Sequence, residues 1–172
     1  MRELGAHRAV LIAIISDTHL PRGRRRLPEA CVETIRDADL VLHAGDVATP
    51  SALREIAALG PPLRAVYGNV DSPQLRRMLP RTLELPVGGV TLGVVHDAGE
   101  ASDRARRLRE AFPKAAAVIF GHTHAPYHEQ GAFQIFNPGS PTERRRAPHR
   151  SMGLGEVYRG RIKFRHLALP SG

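Results

Sequence analysis

Short aliphatic runs alternate with helix-like stretches along this chain, and most of the runs stop at a small cluster of Asp, Asn or His. Few folds accept that rhythm. Residues 9–15 are continuously aliphatic and β-branched, which predicts a strand buried on both faces. A helix is predicted over 28–38, with Pro28 at its start, Glu29 in its first turn and an apolar stripe of Cys31, Val32 and Ile35. Residues 39–42 predict a second buried strand, 51–59 a helix with Thr49 or Ser51 near its N-cap, and 63–67 a third strand. The opening order is therefore βαβαβ.

Beyond it, a short helix is predicted over 74–78, and runs at 82–86 and 90–95 flank Gly88-Gly89, whose backbone freedom suits a hairpin. A helix over 100–112 and strands at 116–120, 126–129, 132–136, 151–158 and 161–167 complete the chain, the last two joined by a turn at Arg159-Gly160. The second half is expected to be mostly antiparallel. At 172 residues the chain fits one α/β domain spanning 1–172, with enough length to bury a substantial core. It holds no internal repeat, linker or low-complexity tract beyond an Arg-rich loop at 142–150.

Hydrophobic content of 42% with 24% charged residues excludes a disordered chain. The longest apolar stretch, 9–15, is too short to cross a bilayer and runs into Asp17 and His19 rather than a cleavage site, so no membrane partner and a cytoplasmic location are expected. Cys31 has no second cysteine to pair with and reads as one more apolar helix residue. The net charge of +8 is almost all arginine, since Lys114 and Lys163 are the only lysines among 25 basic residues. Such a charge suggests nucleic acid. Against that, the arginines come in runs at 22–26, 104–109 and 144–146 in a chain only 5% aromatic, which offers no stacking platform. The helical spacing at 104–109 reads as a solvated face, while other arginines would raise the potential around an anion-binding cleft.

The polar clusters carry the chemistry. They are Asp17-Thr18-His19, Gly45-Asp46, Gly68-Asn69, His96-Asp97 and Gly121-His122-Thr123-His124. Carboxylate, amide and imidazole donors suit Mn, Fe, Co, Ni or Zn, and Asp17, His19, Asp46, Asn69, His96, His122 and His124 are about the number that two ions sharing one carboxylate require. In an open α/β sheet ligands gather beyond the carboxyl ends of strands, which is where every cluster falls. Asp17 and His19, like His122 and His124, stand two apart and would turn the same way in an extended segment. Gly45, Gly68 and Gly121 each precede a candidate ligand and are expected to let the backbone leave its strand sharply. His43 is expected to pack or hydrogen-bond behind the ligands, and Thr123 and Asp71 to orient them. Gly139 and Ser140 are expected to shape a turn beside the site, and His7, His128, His149 and His166 to be surface or packing residues.

The five blocks in this order, with Asn137-Pro138-Gly139-Ser140 as a closing motif, resemble the calcineurin-like metallophosphoesterases across about residues 14–140. Within them the chain is similar to the small YfcE-like phosphodiesterases. The resemblance implies a four-layer α/β/β/α sandwich of two mixed β-sheets flanked by helices. It also implies a metal-dependent phosphodiesterase in which a hydroxide bridging two divalent metals attacks the substrate, with no Ser or Cys nucleophile. By that resemblance Asp17, His19, Asp46 and His124 would hold one metal, and Asp46, Asn69, His96 and His122 the other. Asp46 would bridge, and Asp46, Asn69 and His96 would be the catalytic residues. The implied cofactors are two divalent ions, Mn first, with Fe, Ni, Co or Zn accepted by the same donors. The implied partners are a small-molecule phosphodiester and a second copy of the chain in a homo-oligomer.

Two positions depart from the family pattern. Val70 stands where larger members carry a His after Gly-Asn, and His96-Asp97-Ala98 stands where small members commonly read His-Gly-His. Both changes remove a proton donor, which predicts faster turnover of esters with good leaving groups. Two other readings stand beside the enzyme. One is a non-catalytic interaction scaffold, because the same small fold resembles a retromer subunit; the other, suggested by the charge but not favoured, is a nuclease or nucleic-acid-binding protein.

Overall fold

The structure, a computed structural model, describes residues 8–170; His7 lies outside them. The described chain runs β1 (Val10–Ile15), α1 (Glu29–Asp37), β2 (Leu40–His43), α2 (Pro50–Ala57), β3 (Leu63–Ala65), α3 (Pro73–Met78) and β4 (Thr82–Val87). It continues through β5 (Val90–Val95), α4 (Arg104–Ala111), β6 (Ala117–Ile119), β7 (Tyr127–Glu129), β8 (Gln134–Asn137), β9 (Arg150–Tyr158) and β10 (Arg161–Leu169). None of its helices is long and apolar enough to cross a membrane.

Two five-stranded sheets form, ordered β10-β9-β1-β2-β3 and β4-β5-β6-β8-β7. In the first, β1–β2 and β2–β3 are parallel and the closing hairpin returns antiparallel against β1. In the second, the predicted β4–β5 hairpin turns at Gly88 and Gly89, with φ of +52° and +87°. The antiparallel expectation fails at the centre of this sheet, because β5–β6 and β6–β8 are both parallel. The connections explain the difference: α4 carries the chain back between β5 and β6, and the edge strand β7 does so between β6 and β8.

The double burial predicted for β1 follows from its two faces. Ile12 and Ile14 pack with Leu92, Ile119 and Phe136 between the sheets, while Ala13 and Ile15 pack with Cys31, Ile35, Ala52, Ile56 and Leu75 under the first three helices. On the far side, α4 lays Leu108 over Val118 and Ile135, with Phe112 beside it. The layers are helix, sheet, sheet, helix. Replacing Ile14, which has no exposure, by Ala would cost about 2–5 kcal/mol, through lost transfer energy and a cavity between rigid sheets.

The helix termini follow from local chemistry. Thr49 accepts the Ala52 N–H at 3.2 Å to start α2, and Ser72 does the same for the Leu75 N–H ahead of α3. The helix expected over 100–112 begins only at Arg104, because Asp103 adopts a left-handed φ of +54°. Its arginines are only partly a solvated face. Arg106 pairs with Glu110 at 3.1 Å in solvent, but Arg104 lies over the Phe120 and Tyr127 rings and Arg109 over Phe133. Arg107 donates to the carbonyls of Ala98, Glu100 and Ser102, tying down the loop after His96.

Candidate metal centre

The parallel centres of both sheets decide where the polar clusters go. Asp17 and His19 follow β1, Asp46 follows β2 and Asn69 lies past β3, while His96 follows β5 and His122 and His124 lie past β6. Strand-like pairing runs on into the loops: the Asp17 N–H donates to Gly45 O and the His19 N–H to Asp46 O, both at 3.0 Å. In the second sheet the Gly121 N–H donates to His96 O at 2.9 Å. All seven predicted residues therefore meet at one edge of the sandwich.

The way they meet differs from the expected extended spacing. Asp17, His19, Asp46, His122 and His124 have φ of +56°, +46°, +60°, +72° and +60°, so five of the seven candidate ligand positions themselves hold left-handed backbone. For residues with a Cβ that conformation costs roughly 1–2 kcal/mol each, and it persists only where the surroundings over-determine it. Of the three glycines expected to provide turns, only Gly45 has a positive φ, +99°. Gly68 and Gly121 serve close approach instead. A Cβ on Gly121 would overlap Ser16 Oγ and lie 2.8 Å from Asp17 Oδ2, and one on Gly68 would overlap Asp46 Oδ1.

The donor atoms form two compact groups, Asp17 with His19 and His124, and Asp17 with Asp46 and His96. Asp17 Oδ1 lies 3.4 Å from His124 Nε2 and 3.9 Å from both His19 Nε2 and His96 Nε2. Asp46 Oδ2 lies 3.6 Å from His19 Nε2 and 3.2 Å from His96 Nε2, so each carboxylate reaches both groups. Asn69 Oδ1 sits 3.0 Å from His96 Nε2 and 3.1 Å from His122 Nδ1 at the solvent-facing rim.

Hydrogen bonds behind the donors set which atoms are free. His124 Nδ1 lies 3.0 Å from the Glu143 carbonyl and His96 Nδ1 2.8 Å from that of Ala44; each must donate there, which leaves the neutral ring with its lone pair on Nε2. Ser16 Oγ donates to Asp17 Oδ2 at 2.6 Å and the His122 N–H donates to the same oxygen at 3.0 Å, leaving Oδ1 open. Asp17 Oδ1, His19 Nε2 and His124 Nε2 are buried without any hydrogen-bond partner among the described residues. Three unpartnered polar atoms, a carboxylate oxygen and two imidazole nitrogens, turned on one another make a costly arrangement that a cation would satisfy.

Charge points the same way. Burial opposes ionisation of Asp17, but the His124 and His19 imidazoles, with His96 and Ser16, outweigh it and hold the carboxyl below the usual carboxylate range. Asp46 shows the same balance, with burial overcome by His96 and the Val70 N–H, which donates to Oδ1 at 2.9 Å. His96 is pulled up, its burial outweighed by Asp46 and Asp17. His43 behaves as expected of a supporting residue: it is fully buried, bonds Thr18 Oγ1 at 2.9 Å, accepts the Gly45 N–H at 3.1 Å, and is pushed by burial to about 4.

Asp71 does more than the sequence suggests. It accepts N–H groups from Asp46 at 3.1 Å, Gly68 at 2.7 Å and Ala48 at 2.7 Å, and so fastens the β2 and β3 exits together. Among the described residues the Thr123 hydroxyl bonds no candidate ligand side chain; it meets Asn137 Nδ2 at 3.0 Å. Ser140 Oγ donates to Asp17 O at 2.8 Å and Thr142 Oγ1 to Thr18 O at 2.9 Å, so the closing motif holds the first loop. His128 and His166 pack against Phe136, and His149 is exposed. Sequence reasoning missed Ser16, Thr142 and Arg76, the last of which donates to Asn69 O. Only Ser16 gave a signal, by adjoining Asp17.

The chain matches the calcineurin-like phosphoesterase superfamily domain over residues 10–160. It is 35% identical over 136 residues to a probable metallophosphoesterase of Methanothermobacter thermautotrophicus, covering 77% of this chain and 78% of that one. The structure is similar to zinc-complexed Vps29 of Entamoeba histolytica, with a TM-score of 0.72, 20% identity, and coverage of 92% of this chain and 99% of that one. It is also similar to an archaeal phosphodiesterase, with a TM-score of 0.69, 21% identity, and coverage of 93% and 100%. The chain belongs to the calcineurin-like phosphoesterase superfamily, whose chemistry depends on metal.

Proposed function

We propose that this calcineurin-like phosphoesterase is a phosphodiesterase that uses two divalent cations, Mn²⁺ first. Asp17, His19, Asp46 and His124 would hold one ion, and Asp46, Asn69, His96 and His122 the other. The observation that carries the reading is the convergence of Asp17 Oδ1, His19 Nε2 and His124 Nε2, all buried and unpartnered. The donor set fits a first-row ion better than Ca²⁺ or Mg²⁺, because imidazole nitrogen supplies so much of it. When bound, such ions provide a nucleophile near neutral pH and a clamp for the phosphate oxygens.

The chain's own groups prepare the rest. Ser16 and the His122 N–H fix the Asp17 carboxylate, Asp71 fixes the Asp46 loop, and Glu143 O and Ala44 O set the tautomers of His124 and His96. Asn69 and His122 stand at the exposed rim, where a substrate phosphate would arrive. Val70, also exposed there, and Ala98 offer no proton to a departing oxygen, so diesters with aryl leaving groups should turn over faster than alkyl diesters. Cys31, on the buried face of α1 and pushed by burial to about 12, supplies no nucleophile.

The test is hydrolysis of bis(p-nitrophenyl) phosphate by protein loaded with Mn²⁺, beside Asp46→Asn and with the metal content of each measured. We expect turnover by the parent, two bound ions, and a loss of about 100-fold or more in the variant. A parent that binds no metal, or a variant at full rate, overturns the reading.

A further inference from the structure

We infer that the cleft beside Asn69 and His96 binds a second phosphate of the substrate, so that the preferred diesters carry a phosphate beyond the scissile one. This rests on the phosphodiesterase reading of the adjoining centre. The cleft, about 280 Å³, shares Asn69 and His96 with the metal centre and is otherwise formed chiefly by Tyr67, Arg76, Arg81 and Asp97.

Two arginines there face different constraints. Arg76 is fixed: its Nε donates to Asp71 O at 3.1 Å, its Nη2 to Asn69 O, and its guanidinium lies 5.9 Å from the Tyr67 ring centroid. Because these bonds are to backbone carbonyls and a ring face, none neutralises its charge. Arg81, exposed just ahead of β4, has no hydrogen bond or ion pair among the described residues. A guanidinium fork free to swing beside a pre-set one matches the tetrahedral, multiply charged outline of a phosphate. The one carboxylate in the lining, Asp97, turns Oδ1 to the Gly99 N–H at 2.8 Å and only partly offsets two positive charges. With Val95 as the only aliphatic side chain of the lining, an acyl chain has little to bury against. Arg76 also ties the cleft to the chemistry, since it holds the carbonyl of Asn69 itself.

The test measures binding by calorimetry to the Mn²⁺-loaded protein, with thymidine 5′-monophosphate, thymidine 3′,5′-bisphosphate and thymidine 5′-diphosphate as probes. A second phosphate should tighten binding about 5-fold, and Arg81→Glu should abolish that gain while Asp97→Asn enlarges it. Arg159→Glu, on the β9–β10 turn, makes the same change in net charge elsewhere and should preserve the gain. A gain confined to the bisphosphate identifies a strand-like phosphate across a sugar, and one confined to the diphosphate identifies a pyrophosphate. No gain with either probe, or a gain that survives Arg81→Glu, overturns the inference. The readout needs no turnover, so a protein that hydrolyses nothing yet keeps an Arg81-dependent gain loses the hydrolase reading and not the cleft.

Discussion

The Asp17 corner of the cluster is dry, the Asn69 rim is wet, and they are built by different means. In the corner, Asp17 and His124 are almost fully buried, and each is held from behind by backbone or by a short hydroxyl: Ser16, the His122 N–H and Glu143 O. At the rim, Asn69 is exposed, and its side-chain oxygen touches only other site side chains, His96 and His122. A buried donor that must keep its lone pair unpartnered needs scaffolding that cannot relax, whereas a donor in water can move with its ligand. On the two-ion reading proposed above, the corner would keep its ion tightly and the rim would adapt to the arriving substrate.

The strongest way to break this comparison is Asp17→Asn, which removes the more deeply buried of the two carboxylates that reach both donor groups. Both ions should be lost and the rate should fall on the order of 10³-fold, as read by metal analysis and aryl-diester turnover. Retention of either ion would mean that the corner does not organise the centre.

Gly121→Ala asks whether the scaffolding itself matters. Its Cβ would overlap Ser16 Oγ and press on Asp17 Oδ2, and metal affinity measured by competition with a chelating dye should drop about 10- to 100-fold. Unchanged affinity would show that the corner can relax. Asn69→Ala probes the rim: a loss of about 10-fold in rate, with one ion still bound, is the expected contrast. Loss of both ions in that variant would erase the distinction.

A separate measurement, of stability rather than rate, concerns His43 behind the corner. Its folded pKa of about 4 lies below the ordinary 6.5, so the folded state resists protonation. Its contribution to stability is full above pH 6.5 and is lost as pH falls towards 4, amounting to about 3 kcal/mol. Urea unfolding of metal-free protein across that window should show the loss, and His43→Gln should remove it. Equal slopes in the two proteins would contradict the assignment.

How much was legible depended on whether a signal was local. The doubly buried β1, the Gly88-Gly89 hairpin and the Thr49 cap each rest on neighbouring residues, and the sequence placed them within a residue or two. That the seven candidate donor positions share one edge was legible because each lies in the loop that follows a strand. Asp71 was only suspected and Thr142 was missed, since what they bind lies far along the chain.

By itself the sequence determined the alternation of strands and helices and the inventory of candidate donors, because hydrophobic period and residue chemistry are written residue by residue; the four layers were implied only by the family resemblance. Only the tertiary structure decided that β5, β6 and β8 run parallel, which carries His96, His122 and His124 to the same edge as Asp17 and Asp46. Strand direction depends on which strands pair, and pairing is settled by packing across the whole sandwich. The same packing holds five of the candidate ligand residues in left-handed backbone, which no local preference would choose.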